Sequence, residues 1–218
     1  GSQTLNPVHD EAARTVLPLM LCPSDSQEPL FTSSSVAAGQ AFAGTNYVVS
    51  TGSGIDATYD TRAKTDGIVW WGSRVREREI KDGLTKTIIW SETLLGTGAN
   101  TSGPSPQDGR RQMAQLPGGG MGPPGQGFTT VMPNPDLLTL SASASTWSGF
   151  RGGAWIWGRE HTTTFNTYAP PNAGHPDVMK NGFGWFAPRS AHPGGVDAAF
   201  LDGSVRWISD DVELATFQ

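Results

Sequence analysis

The chain is short of several things that usually announce a function. It holds one cysteine, Cys22, in 218 residues, so no disulfide can close within it and cysteine usage does not reveal a redox compartment. Charged residues make up 16% of the chain, the net charge is −5, and no basic stripe runs along it. Nucleic acid is therefore not an expected partner. No apolar run approaches the roughly 18 residues of a membrane span. No signal peptide is present either, but Gly1-Ser2 reads as an expression scar, so this absence says little about location. A Gly-x-Ser-x-Gly nucleophile elbow and the spacing of an EF-hand loop are both missing.

Turn-formers are plentiful: 28 Gly and 16 Pro are about a fifth of the chain. This stays below the roughly 25–30% of outright disorder and implies a folded body with many turns. The length suffices for a sizeable core, and a single domain over residues 1–218 is expected. The window from Gly96 to Gly127 packs ten Gly and five Pro into 32 residues. It buries too little to offset its ordering entropy, so it reads as a long inserted loop. Asn6-Pro7 ahead of VHDEAARTV predicts a capped short helix ended by Pro18. Strands are predicted at Leu19–Cys22, within GTNYVVSTG (Gly44–Gly52), within DGIVWWGS (Asp66–Ser73), at Thr87–Trp90 and within GGAWIWG (Gly152–Gly158). Arg74–Ile80 admits a helical reading, and DDVELATF a terminal helix with Asp210 as its N-cap.

Near the C-terminus, SAHPGGVDAAFLDGSVRWIS (Ser190–Ser209) predicts a β-hairpin. With Asp202-Gly203 as a two-residue type I′ turn, Phe200 lies opposite Val205 and Ala198 opposite Trp207. Val196, Ala198, Phe200, Val205 and Trp207 then share one apolar face. On this reading His192 is architectural, its ring capping a strand end or bonding a backbone carbonyl near the Pro-Gly-Gly turn.

Five blocks, in order, resemble a large prepilin-like family of planctomycetes, still labelled a domain of unknown function (1559). They are LCPSDS (Cys22, Pro23, Ser24, Asp25), GTNYVVSTG, IKDGLTKTIIWSE (Asp82, Gly83, Glu92), the Pro-Pro-Asn corner of FNTYAPPN, and the His-x9-Asp-Gly signature of His192, Asp202 and Gly203. The resemblance implies an α+β, pilin-like head dominated by antiparallel sheet. It also implies a processed N-terminal helix, absent from this fragment, that would anchor the subunit in the inner membrane and pack it into a filament. The implied function is non-enzymatic: export to the periplasm or cell surface, with other pilin-like subunits or secretion machinery as partners. Many relatives carry a second cysteine after Pro-Pro-Asn that could pair with the first; here His175-Pro176-Asp177 occupies that region.

Other constellations admit functional readings. Calcium, weighed against an expectation of no cofactor, would use Asp197, Asp202, Asp210 and Asp211. Zinc is disfavoured, because His161, His175 and His192 are widely spaced and Cys22 precedes proline. Ser190 and His192 make a weak nucleophile–base pair. Glu77 and Glu79 read as a solvated face, and Glu92 as a buried carboxylate paired with an arginine. Trp70, Trp71, Trp155, Trp157 and Trp185 include candidates for stacking on a sugar ring. The alternative to the pilin-like reading is accordingly a glycan- or solute-binding extracellular module.

Overall fold

The computed structural model describes residues 5–32 and 40–218; Gly1-Ser2, read above as a scar, lies outside them. The architecture is α+β and dominated by sheet. In chain order the strands are β1 (Leu30–Thr32), β2 (Ala41–Ala43), β3 (Tyr47–Ser50), β4 (Ile88–Glu92), β5 (Thr101–Ser102), β6 (Met113–Gln115), β7 (Thr146–Ser148), β8 (Thr164–Phe165), β9 (Asp177–Lys180), β10 (Phe183–Trp185), β11 (Gly195–Phe200) and β12 (Val205–Ser209). Among the described residues four short α-helices accompany them: α1 (Asp10–Arg14), α2 (Leu137–Ala142), α3 (Glu160–Thr163) and α4 (Leu214–Phe217). Among the described residues no helix is long and apolar enough to cross a membrane.

The strands form a β1–β2 pair and two five-stranded sheets, ordered β12-β11-β4-β3-β8 and β10-β9-β6-β7-β5. Pairing is antiparallel except for β3–β8 and β6–β9. The second sheet is buried on both faces. Ala114, Trp147, Val178 and Trp185 line one face and pack with Tyr59, Phe128 and Leu137. Met113 and Met179 line the other and pack on Phe186. The first sheet is one-sided. Val48, Ser50, Ser91, Val196, Ala198 and Phe200 are buried, whereas Trp90, Val205 and Trp207 on the opposite face are 43%, 66% and 48% exposed.

Several expectations hold. Asn6 accepts from Val8 N and Pro7 opens the first helical turn, while β3 and β4 lie where β-branched and aromatic residues run between turns. Others need correction. Leu19–Cys22 is not a strand: Pro18 opens a 3-10 turn over Pro18–Met20, as its preset φ favours. The segments holding Trp70-Trp71 and Trp155-Ile156-Trp157 wind as turns and bends. Arg74–Ile80 contains one 3-10 turn, Glu77–Glu79. The terminal helix α4 begins later than expected, with Glu213 rather than Asp210 at its N-cap position and no side-chain capping bond.

The Gly/Pro-rich window is not a structureless loop. It supplies β5 and β6, and β6 sits at the centre of the second sheet with Met113 and Ala114 fully buried. Its backbone is held by buried acceptors: Asp60 Oδ2 accepts from Gly125 N and Gly127 N, and Tyr59 Oη from Phe128 N. The ordering entropy is offset by hydrogen bonds to residues far away in sequence, which composition does not reveal.

The hairpin forms one residue out of the expected register. Ala199 pairs with Val205, Ala198 with Arg206 and Asp197 with Trp207. Gly203 N donates to Phe200 O and Phe200 N to Ser204 O, which makes a three-residue loop with Gly203 at φ +84. Asp202 does not have the positive φ that a type I′ turn needs; the loop is a type I turn followed by a left-handed glycine. A one-residue slip exchanges the faces of the partner strand. Val205 and Trp207 therefore point outward, and Arg206 lies over the Phe200 ring at 4.2 Å.

A buried ion cluster lies beside β9. Asp177 bonds Arg189 at 2.8 Å and pairs with Arg151 at 3.3 Å, and all three are buried. Asp177→Asn is expected to cost about 3–5 kcal/mol, because two guanidinium groups lose their counter-charge; urea denaturation with an unchanged slope checks this. Nearby, burial pushes the fully enclosed His161 down to about 3, with Arg159 and Arg151 adding to the effect. The unfolded chain binds this proton near pH 6.5 and the folded one only near 3. Stability should therefore fall as pH drops through that window, by about 1.4 kcal/mol per unit. His161→Gln should flatten the profile in denaturation curves taken across it.

Candidate functional site

The five sequence blocks meet in space. After the Pro18–Met20 turn the chain makes a second turn in which Asp25 N donates to Cys22 O. Asn46, just before β3, stitches this turn to the first sheet. Its Oδ1 accepts from Cys22 N, and its Nδ2 donates to Asp25 Oδ2 and Thr93 O. Asp25 also accepts from Leu95 N and pairs with Arg111 at 2.9 Å. Burial opposes ionisation of Asp25, but the Arg111 guanidinium, the Leu95 N–H and the Asn46 amide outweigh it and hold its carboxyl below the usual range.

Glu92 ends β4. By strand alternation it shares the outward face with Trp90, yet it is only 3% exposed. Its Oε2 accepts from Asp197 N at 2.8 Å, leaving Oε1 turned toward His192. Burial raises its carboxyl, partly countered by the Asp197 N–H and by His192. His192 is presented by the Pro-Gly-Gly turn ahead of β11. Its backbone N donates to Ser190 Oγ, which itself donates to Gly195 O. The Pro-Pro-Asn corner supports this approach, with Asn172 accepting from Ser190 N and donating to Gly195 O and Asp210 Oδ1.

The His192 ring neither caps a strand nor bonds a backbone carbonyl; that expectation is corrected. Nε2 lies 3.5 Å from Cys22 Sγ and 3.5 Å from Glu92 Oε1. The ring is one-third exposed, and it meets Trp207 edge-on at 6.4 Å. Glu92 is partnered by a histidine and a backbone amide rather than by an arginine. A nucleophile–base–orienter relay uses both ring nitrogens; here thiol and carboxylate converge on the same one.

The remaining candidates separate. Cys22, Glu92 and His192 form the one group of three or more metal-capable side chains among the described residues, with ligand atoms all within 4.8 Å of one another. Asp197, Asp202, Asp210 and Asp211 do not gather. Asp202 accepts from Ser204 and pairs with Arg206, Asp210 accepts from Asn172, and Asp211 is exposed. Ser190 is buried and engaged with backbone. The other turn-forming pair, Asp82-Gly83, lies beside the hairpin loop: Asp202 N donates to Leu84 O and Leu201 N to Thr87 O. Of the aromatic candidates, Trp185 is core and Trp157 stacks on Phe42. Trp155 donates to Thr15 O and Trp70 is half-buried, leaving Trp71 as the exposed one. Sequence reasoning passed over Trp90 and Trp207, because the assumed register turned Trp207 inward. It also passed over Asn46 as a site residue and Arg111, which lay in the supposed loop.

A sheet-dominated α+β domain whose motif residues converge on a Cys–Glu–His cluster defines the class. The chain belongs to the family described as protein of unknown function DUF1559 (SBP_bac_10), whose profile matches residues 2–215. No curated protein and no solved structure matches the chain.

Asn46→Ala strips three buried hydrogen bonds from the junction. It is expected to lower stability by about 2–4 kcal/mol, and an earlier thermal midpoint with near-native far-ultraviolet circular dichroism would show it.

Proposed function

We propose that this chain is the outward-facing head of an exported, pilin-like protein and that it works without catalysis, presenting a folded surface for assembly or adhesion. The observation that carries this reading is the open face of the first sheet. Trp90, Val205 and Trp207 stand exposed there beside the half-buried Val49 and Ala199. A contiguous apolar patch on a folded head is an interaction surface. A pilin-like subunit supplies the complementary element, an apolar helix, from its own chain or from a neighbouring subunit. Family membership supports the coarse assignment. Thiol and carboxylate sharing one ring nitrogen of His192 argues against a cysteine–histidine nucleophile relay, in line with a head that presents a surface. Assembly partners are then other pilin-like subunits or secretion machinery, and the head stands in the periplasm or at the cell surface, tethered to the inner membrane.

A second reading, a glycan- or solute-binding module, draws on a groove of about 750 Å³ lined by Asp66, Asp82, Lys86, Thr167, Phe200 and Arg206. Affinity electrophoresis in polysaccharide gels separates the two. Retardation lost in Lys86→Ala or Arg206→Ala, both on the groove, with the fold intact, favours the module. For the pilin-like head, a photo-crosslinking residue at position 90 or 207 of the natural full-length gene product is expected to give adducts with the apolar helix of a pilin-like subunit. A head that resists protease added to spheroplasts because it stays in the cytoplasm would end the proposal.

A further inference from the structure

We propose that Cys22, Glu92 and His192 bind a divalent transition-metal ion, with zinc the best fit. The donor set is one sulfur, one imidazole nitrogen and one carboxylate oxygen. Zinc takes all three types, whereas calcium asks for six to eight oxygens.

The geometry points the same way. Around a tetrahedral zinc ion with Zn–S of about 2.3 Å and Zn–N and Zn–O of about 2.0–2.2 Å, the S···N edge comes to about 3.5 Å and the N···O edge to about 3.4 Å. Both corresponding separations here are 3.5 Å, from Cys22 Sγ to His192 Nε2 and from His192 Nε2 to Glu92 Oε1. Two edges of a tetrahedral face are thus in place, and the third, from Cys22 Sγ to the Glu92 carboxylate, lies within 4.8 Å and closes by a small side-chain adjustment when an ion binds. The same arrangement makes poor hydrogen bonding, since Nε2 can serve only one of the two neighbours well.

The carboxylate is held from behind as a metal ligand's is, and the backbones that carry the other two donors are fixed. Asp197 N engages Glu92 Oε2 and leaves Oε1 free to bind. Asn46 Oδ1 holds Cys22 through its backbone N–H, and Ser190 holds the backbone of His192. Cys22 and Glu92 are buried, so an ion would enter past the partly exposed His192 ring. Three protein ligands leave a fourth position for water. The ligands come from positions 22, 92 and 192, so no local spacing motif announces them.

The test is titration of the chelator-treated protein with cobalt(II) and, separately, with zinc(II). One equivalent of cobalt should produce a sulfur-to-cobalt charge-transfer band together with the visible bands of a tetrahedral ion, and zinc should displace both. Cys22→Ser should abolish the charge-transfer band. His192→Ala, at a partly exposed ring, should retain the native circular dichroism and lose stoichiometric zinc binding by calorimetry. Zinc should also raise the thermal midpoint of the native protein and not that of His192→Ala. Absence of the charge-transfer band in the native protein, or zinc binding by a folded His192→Ala that equals the native protein's, would overturn the assignment.

Discussion

Asn46 has one side-chain acceptor and two side-chain donors, and all three are used inside the protein. The acceptor takes Cys22 N, and the donors reach Asp25 and Thr93 O. Its backbone is engaged as well, donating to Met20 O and accepting from Thr93 N. A buried carboxamide with no water to fall back on demands this full set of partners. The cost of leaving any of them unmade is what joins the N-terminal turn to β3 and to the segment after β4. Everything at the candidate site hangs from that junction. Cys22 stands beside Glu92 because Asn46 holds its turn there, and Asp25, fastened by the same amide, draws in Arg111 from the Gly/Pro-rich window.

The spacing of the terminal signature follows from the sheet. Nine residues separate His192 from Asp202, and nine separate Asp82 from Glu92. β4 and β11 are antiparallel neighbours, with Ser91 opposite Ala198 and Trp90 opposite Ala199. One end of the pair brings Glu92 to His192. The other brings the hairpin loop at Asp202 against Leu84, next to Gly83. Two blocks with the same interval are thus one length measured on adjacent strands. His192 and Asp202 do not act on each other; each closes the opposite end of β11.

The parts legible in the sequence were those determined locally. Asn6-Pro7 capped its turn, the β-branched run at β3 made a strand, and Asp-Gly made a hairpin loop. The hairpin's register was not legible, because Asp-Gly fits a two-residue type I′ loop and equally the last two positions of a three-residue loop. That single choice decides which way Trp207 points. β6 was hidden for another reason: Met113 and Ala114 are two buried residues in a window dominated by glycine and proline, and partners far along the chain order them. The glycine-flanked tryptophan segments failed in the opposite sense, since strand-like composition there meets turns tied down by Thr15, Phe42 and Glu160. The candidate site escaped for lack of distance information. Cys22, Glu92 and His192 belonged to three recognised blocks, but 70 and 170 positions separate the cysteine from the other two.

The open sheet face and the Cys–Glu–His cluster are one surface. Glu92 shares that face with Trp90, and the His192 ring rests edge-on against Trp207. A helix laid across Trp90 and Trp207 would run toward the exposed side of the imidazole, which is also the way into the cluster. Under the proposed reading, a partner covering Trp207 would also cover the exposed edge of the His192 ring, so docking on this face and access to the cluster would be coupled through that one contact.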